Sequence, residues 1–157
     1  MCDLSQLYEQ DFSAWIERNM GLIRQGRLSE VDVEHLVEEL SEMGRSQQHE
    51  LVNRLRVLLA HLLKWQFQYH QLSRQWAEFE GKSWRNTIIE QRAALRYLLE
   101  KNPGLKSRIA RALDEAYPQA LDLAIDESGL PAHSFPTEIP YSAEQVFDRT
   151  FYPPQGS

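Results

Sequence analysis

One stretch of the sequence, residues 32–70, constrains the fold more than any other. Its apolar side chains recur every three or four residues, which places them on one side of an α-helix. No proline interrupts the stretch, and Ser29 or Asp32 is a suitable N-terminal cap. Its single glycine, Gly44, destabilises a helix by about 1 kcal/mol relative to alanine. The pattern predicts either one long helix or two nearly collinear helices that meet at Gly44.

Three other segments show the same helical rhythm. The first begins near Asp11, a residue suited to capping, and ends at Gly26. The third helix in chain order is predicted to begin with Ser83 as its cap. The fourth is predicted to run from Pro103, which favours the first helical position, to Gly129.

The overall pattern predicts an all-α fold. No stretch alternates apolar and polar residues with the period of a strand, and Ser142 with Gln145 has the spacing of a capping box. We expect an up-and-down bundle of about four main helices, with a long central helix and a short C-terminal helix. The 157 residues suit one domain, with frayed tails at 1–10 and 151–157 and a variable connector at 71–82.

Composition indicates an ordinary globular protein of a reducing compartment. Apolar residues make up 42% of the chain and charged residues 25%, a balance that favours a packed core over disorder. The single cysteine, Cys2, permits neither an intrachain disulfide nor a cysteine-based metal site. The N-terminus lacks a signal-peptide pattern, and no apolar run approaches the length of a membrane span. We therefore expect a cytoplasmic protein.

The charges are segregated along the chain. Residues 1–44 hold ten acidic and three basic side chains, residues 45–111 hold five and thirteen, and residues 112–157 hold eight and one. This layout indicates either internal complementarity or a basic binding surface, and we favour the internal interpretation. It predicts that at least two of five cations form ion pairs with acids of other helices. These cations are Arg54, Arg56, Lys64, Arg85 and Arg92.

A first set of candidate functional residues is acidic. Asp32, His35 and Glu39 stand three and four residues apart, so they share one face of the long helix. Di-metal sites in helical bundles need carboxylates from several helices and acid-x-x-His pairs from two of them. The sequence offers only one acid-x-x-His pair. We interpret this face as solvated and expect no metal and no cofactor. The complete acidic face comprises Asp32, His35, Glu38, Glu39 and Glu42.

A second set of candidates is basic and aromatic. His61 and Lys64 lie on one side of the long helix and could support acid–base chemistry or bind a nucleotide if they faced a cleft with residues of the third helix. We favour structural packing, with Trp65 in the core and Lys64 reaching an acid of the first or second helix. Trp65 and Trp84 fall on apolar stripes, so we expect both to be largely buried. The complete cluster comprises His61, Lys64, Trp65, Trp84, Arg85, Gln91 and Arg92.

Known functional motifs are absent from the sequence. Gly-rich phosphate loops, paired cysteines and the H-E-x-x-H arrangement do not occur. The basic middle segment lacks the aromatic interleaving of nucleic-acid modules, and the net charge of the whole chain is −6. We therefore expect a helical module that binds a protein partner or itself, with an enzyme or nucleotide-binding domain and a nucleic-acid-binding protein as alternatives.

Several blocks of residues resemble a known family over nearly the whole length of the chain. The blocks are Tyr8, Glu9, Asp11, Phe12 and Trp15; Leu36, Glu38, Glu39, Leu40, Gly44 and Arg45; Leu55, Arg56, Leu58, Leu59 and His61 to Trp65; Ser83, Trp84, Arg85, Ile88, Gln91 and Arg92; and Phe135, Pro136, Pro140 and Tyr141. In this order they resemble the bacterial domain-of-unknown-function family twenty-nine. The resemblance implies a helical fold and leaves the activity open.

Overall fold

The computed structural model of the chain describes residues 3–69 and 81–154, and every regular element in these ranges is a helix. The predicted all-α class, the long central helix and the short C-terminal helix are confirmed. Most of the predicted connector at 71–82 lies outside the described residues. The α-helices are α1 (Leu4–Gln10), α2 (Phe12–Arg24), α3 (Val33–Phe67), α4 (Lys82–Lys101), α5 (Ile109–Ser128) and α6 (Ala143–Phe147), and short 3-10 turns occupy Leu28–Glu30, Pro103–Arg108 and Ala132–Ser134.

Helix α3 settles the question left open at Gly44. It runs without a break from Val33 to Phe67, a length of 35 residues. The start is fixed by Asp32, whose carbonyl accepts a hydrogen bond from the amide of Leu36 and whose side chain accepts one from the amide of His35. A single glycine is too weak a helix breaker to interrupt so long a run of hydrogen bonds.

The chain divides into two compact units, Met1–Ser46 and Gln47–Ser157, which we call the N-terminal and C-terminal units. The boundary falls within α3, so each unit contains part of that helix. The predicted arrangement of four helices in a single domain stays a prediction.

Within the segment expected to be a frayed tail, Leu4–Gln10 of the N-terminal unit form helix α1. Asp11 links this helix to the next, because its amide donates to the carbonyl of Leu7 while its side chain accepts a hydrogen bond from the amide of Ala14. Asp11 therefore caps α2, as the sequence predicts. Within the described part of this unit only Trp15 and Asn19 are buried.

The C-terminal unit holds the hydrophobic core. Burial of apolar side chains stabilises a fold by about 25 cal/mol per Å² removed from water, and the second half of α3 supplies the largest share of such side chains. Trp65 is only 8% exposed, as predicted, whereas Trp84 is half-buried because it lies at the outer start of α4. The fully buried large apolar side chains of this unit are Leu51, Leu55, Leu58, Leu59, Leu62, Leu63, Ile88, Leu95 and Val146.

The start of α4 differs from the prediction. Gly81, not Ser83, occupies the capping position, with a φ of 66° that favours glycine. A Cβ atom on Gly81 would overlap the ring of Tyr69, so this position also requires the absence of a side chain. Ser83 lies in the first turn, where its carbonyl accepts a hydrogen bond from the hydroxyl of Thr87.

The structure describes the C-terminal segment through residue 154, and the frayed tail expected at 151–157 stays a prediction. The predicted capping box of Ser142 and Gln145 is present at the start of α6. Beyond it, the ring of Tyr152 packs on Trp65 with centroids 5.0 Å apart. The fourth predicted helix begins as a 3-10 turn at Pro103 and becomes α5 at Ile109.

None of the helices in the two described ranges combines the length and the apolarity needed to cross a membrane.

The difference in burial between the two halves of α3 can be tested by replacing one leucine in each half with alanine. Leu59 is completely buried and Leu40 is 65% exposed. We expect Leu59→Ala to lower the free energy of unfolding by about 2–5 kcal/mol, and Leu40→Ala to lower it by no more than about 0.5 kcal/mol. Urea denaturation measures both. Equal losses would show that the first half of α3 is packed as tightly as the second.

Candidate functional site

Lys64 is a buried cation in the C-terminal unit. Only 5% of its side chain is exposed, and its Nζ forms an ion pair with the carboxylate of Glu127 on α5. The same Nζ lies 5.2 Å from the ring centroid of Trp84, a distance typical of a cation–π interaction. Lys64 thus connects α3 to both α4 and α5.

The neighbouring aromatic rings connect two further cations. The guanidinium carbon of Arg85 lies 5.9 Å from the ring centroid of Trp65, and that of Arg92 lies 5.5 Å from the ring of Tyr152. Trp65 packs on both Tyr152 and Tyr69, and Tyr69 in turn packs on Trp84, the ring that Lys64 contacts. Four of the predicted candidates therefore belong to one connected group with Lys64, Tyr69 and Tyr152. These four are Trp65, Trp84, Arg85 and Arg92.

Arg92 fixes the C-terminal segment to α4. Its side chain is buried, and it donates hydrogen bonds to the carbonyl oxygens of Val146 and Gln145 at 2.8 and 3.3 Å. Carbonyl groups in the last turn of a helix lack helical partners, so a buried guanidinium satisfies them. Burial lowers the pKa of Arg92 from its usual value.

His61 and Gln91 make separate contacts. Nδ1 of His61 donates to the carbonyl oxygen of Val57, one turn earlier in α3, at 2.8 Å. Burial and, less strongly, the charge of Lys64 lower the pKa of His61 below 6.5. The side-chain oxygen of Gln91 accepts a hydrogen bond from Arg54 at 3.3 Å. Neither side chain is shown in contact with the group around Lys64.

The basic residues provide fewer ion pairs between helices than predicted. In residues 3–69 and 81–154, Lys64 is the one member of the five cations that pairs with an acid of another helix. Arg54 pairs with Glu50 of its own helix, and Arg92 binds carbonyl groups instead. The expectation of at least two such pairs is not met in the described part of the chain, because aromatic rings and backbone acceptors take the place of carboxylates.

The acidic candidates of the N-terminal unit are organised around Asp32. Its Oδ2 accepts a hydrogen bond from Nε1 of Trp15 at 3.0 Å and lies 2.7 Å from Nδ1 of His35. Its backbone amide donates to the side-chain oxygen of Asn19 at 2.9 Å. Burial alone would raise the pKa of Asp32, but the hydrogen bonds from Trp15 and His35 lower it below its usual value.

Helix α1 contacts the same network through Tyr8. Its ring stacks on His35 with centroids 4.0 Å apart, and its hydroxyl donates to Glu39. The hydrogen bond to Glu39 raises the pKa of Tyr8 to about 12, and the hydrogen bond to Asp32 raises the pKa of His35. Glu42 pairs with Arg45. No three acidic, histidine or cysteine side chains within the described ranges are grouped as metal ligands would be.

Two apolar stripes of the N-terminal unit are exposed, a feature that the sequence analysis missed. One lies on α2 and the other on the first half of α3, and their side chains are between 37% and 65% exposed. The spacing of these side chains is that of any amphipathic helix, and it does not show whether the apolar side faces a core or solvent. We call them the N-terminal apolar stripes. They comprise Phe12, Ile16, Met20 and Ile23 on α2, and Val33, Val37, Leu40 and Met43 on α3.

Comparison with known proteins bears on the family. The family model described as Domain of unknown function DUF29 matches residues 7–152 of the 157 residues. This match confirms the resemblance carried by the sequence blocks. No curated protein and no solved structure matches the chain significantly.

The ion pair of Lys64 can be tested by removing one partner and then both. Glu127→Gln leaves the buried ammonium group without its carboxylate, and we expect a loss of about 1–3 kcal/mol in the free energy of unfolding. Combining it with Lys64→Met removes the unpaired charge and should recover part of the loss. Glu50→Gln is the matched control, because the exposed pair with Arg54 contributes only about 0–0.5 kcal/mol. Equal effects of Glu127→Gln and Glu50→Gln would contradict the buried role.

Two histidines of α3, His35 and His61, should titrate on opposite sides of 6.5. The raised pKa of His35 means that its contribution to stability is full below 6.5 and is lost as the pH rises through the folded-state pKa. The lowered pKa of His61 has the opposite effect, because protonation below 6.5 acts against the folded state.

Imidazole resonances followed by NMR across pH 5 to 9, assigned with His→Gln variants, measure both values. Asp32→Asn should bring the pKa of His35 back towards 6.5 while leaving that of His61 unchanged. Identical pKa values for the two rings would contradict the assignment.

Proposed function

The chain belongs to the family described as domain of unknown function DUF29, and we propose that it is a non-catalytic helical module of the bacterial cytoplasm that binds a protein partner. The partner docks on the N-terminal apolar stripes. The observation that carries the proposal is the exposure of eight large apolar side chains in a unit of fewer than fifty residues.

Exposure of this extent is unusual for side chains of this size. Burying one such side chain fully is worth about 1.5–3 kcal/mol, so single exposed examples are common but ordered stripes mark interaction sites. On α3 the stripe follows the sequence Val33, Val37 and Leu40, which is the i, i+4, i+7 spacing with which helices engage grooves and other helices. A docked partner would remove both stripes from water.

The two alternative functions, an enzyme or nucleotide-binding domain and a nucleic-acid-binding protein, receive less support. In the candidate cluster of the C-terminal unit, Lys64 pairs with Glu127, Arg92 donates to carbonyl groups and Gln91 accepts from Arg54. These contacts hold helices together, which supports a structural role for the cluster over a small-molecule site. Lys64, Arg85 and Arg92 of the basic middle segment contact a carboxylate, an aromatic ring and backbone carbonyls of the fold, which disfavours a nucleic-acid function for these three.

The proposal is tested by site-specific photo-crosslinking in cells. A photoreactive amino acid replaces Met20 or Leu40 in the stripes, and the control replaces Tyr97 of α4, which is similarly exposed at 61%. We expect one protein to be crosslinked from positions 20 and 40 and not from position 97.

The crosslinked protein is then purified and its affinity measured. We expect Val37→Asp with Leu40→Asp to weaken binding at least about tenfold, because two charges enter the buried centre of the interface. The control, Ile89→Asp with Tyr97→Asp, should change affinity less than about twofold. Crosslinking that does not depend on position, or equal effects of the two double variants, would refute the proposal.

A further inference from the structure

We propose that the segment docking on the N-terminal apolar stripes is an amphipathic α-helix whose apolar side is flanked by lysine or arginine. This inference rests on the proposed function and adds the chemistry of the partner. It is carried by the charges beside the stripe of α3.

Two acidic side chains line one edge of that stripe. Glu34 follows Val33 and Glu38 follows Val37, so each carboxylate lies about 100° around the helix from an exposed apolar side chain. Both glutamates are exposed, and neither forms an ion pair with any residue in the described ranges.

The two carboxylates are also neighbours of each other. They stand four residues apart on one face of α3, where like charges destabilise a helix. A cation placed along this edge would relieve the repulsion and form two new ion pairs. Glu34 and Glu38 therefore favour a basic side chain on the partner at the border of the apolar contact.

Further acidic residues lie beside the start of the stripe. A groove of about 560 Å³ runs beside the first turn of α3 and is lined by Val33 together with four acidic residues. These are Asp3, Glu30, Asp32 and Glu34. Residues 3–46 as a whole hold ten acidic and four basic side chains. A helix that lays an apolar side chain near Val33 thus meets further negative charge beside Glu34 and Glu38.

The same charges argue against a second copy of this unit as the occupant. A two-fold symmetric contact through the stripe of α3 would bring Glu34 and Glu38 of one copy near the same residues of the other. Like charges at the rim of an interface oppose association, whereas a basic helix gains from them. The spacing of Val33, Val37 and Leu40 matches the apolar rows of a helix, which sets the secondary structure of the partner.

The test uses four labelled synthetic peptides and the full chain. Three peptides share one helical apolar stripe and carry lysine, glutamine or glutamate on its flanks, and the fourth has the composition of the lysine peptide in an order that destroys the stripe. Fluorescence anisotropy gives the affinities at about 0.05 M and about 0.3 M salt.

We expect the lysine peptide to bind at least about tenfold tighter than the glutamate peptide at low salt, with the ratio falling at high salt. The fourth peptide, in which the order of residues destroys the apolar stripe, should bind at least about tenfold more weakly than the lysine peptide. Glu34→Lys with Glu38→Lys should reverse the preference between the lysine and glutamate peptides. Glu90→Lys with Glu100→Lys, which changes two exposed acids of α4, is the control and should leave the preference unchanged.

The other possible outcomes distinguish a failure of this inference from a failure of the proposed function. Equal binding of the three striped peptides, abolished by Val37→Asp with Leu40→Asp, would overturn the basic partner and keep the proposed function. Equal binding of the lysine peptide and the fourth peptide would show that binding depends on net charge alone, and it would overturn the inference. Self-association in sedimentation that the same stripe variant abolishes, with no peptide binding, would assign the surface to a second copy. Failure of every peptide, no self-association and no position-specific crosslink would refute both proposals.

Discussion

The different environments of the two halves of α3 govern the rest of the structure. From Leu51 onward most of its apolar side chains are buried and form the largest part of the core, whereas Val33, Val37 and Leu40 are exposed. The same helical rhythm thus produces a core in one unit and a surface in the other.

The C-terminal unit is stabilised by cations as well as by apolar packing. Lys64 contacts Glu127 and the ring of Trp84, and Arg92 binds the last turn of α6. A buried charge costs several kcal/mol unless its partners are in place, so these contacts specify how the helices pack rather than merely add stability. The residues that looked most like a functional site in the sequence are thus used to hold helices and the C-terminal segment in register.

The sequence predicted local structure better than it predicted burial. Periodicity located α3, and the capping residues Asp11 and Ser142 marked true helix starts, because these signals depend on neighbours a few residues apart. Ser83 failed as a cap because the close approach of Tyr69 requires a glycine at position 81, which is a contact between distant residues. Contacts between distant residues also decide whether the N-terminal apolar stripes are buried and which partners the candidate cluster has. A helical stripe does not reveal whether it faces its own core or a partner, and spacing does not show that Lys64 pairs with Glu127.

The N-terminal unit shows how an apolar surface can remain exposed without loss of order. Its two buried residues in the described range, Trp15 and Asn19, are both tied to Asp32, which also binds His35. Hydrogen bonds and the stacking of Tyr8 on His35 connect the helices through polar and aromatic contacts, so the large aliphatic side chains are not required for an interior. A unit built in this way can offer its apolar side chains to a partner and return to the same structure when the partner leaves. Under the proposed function, Glu34 and Glu38, which form no ion pair with the residues that the structure describes, would select among partners by charge, because apolar contact alone discriminates poorly between one amphipathic helix and another.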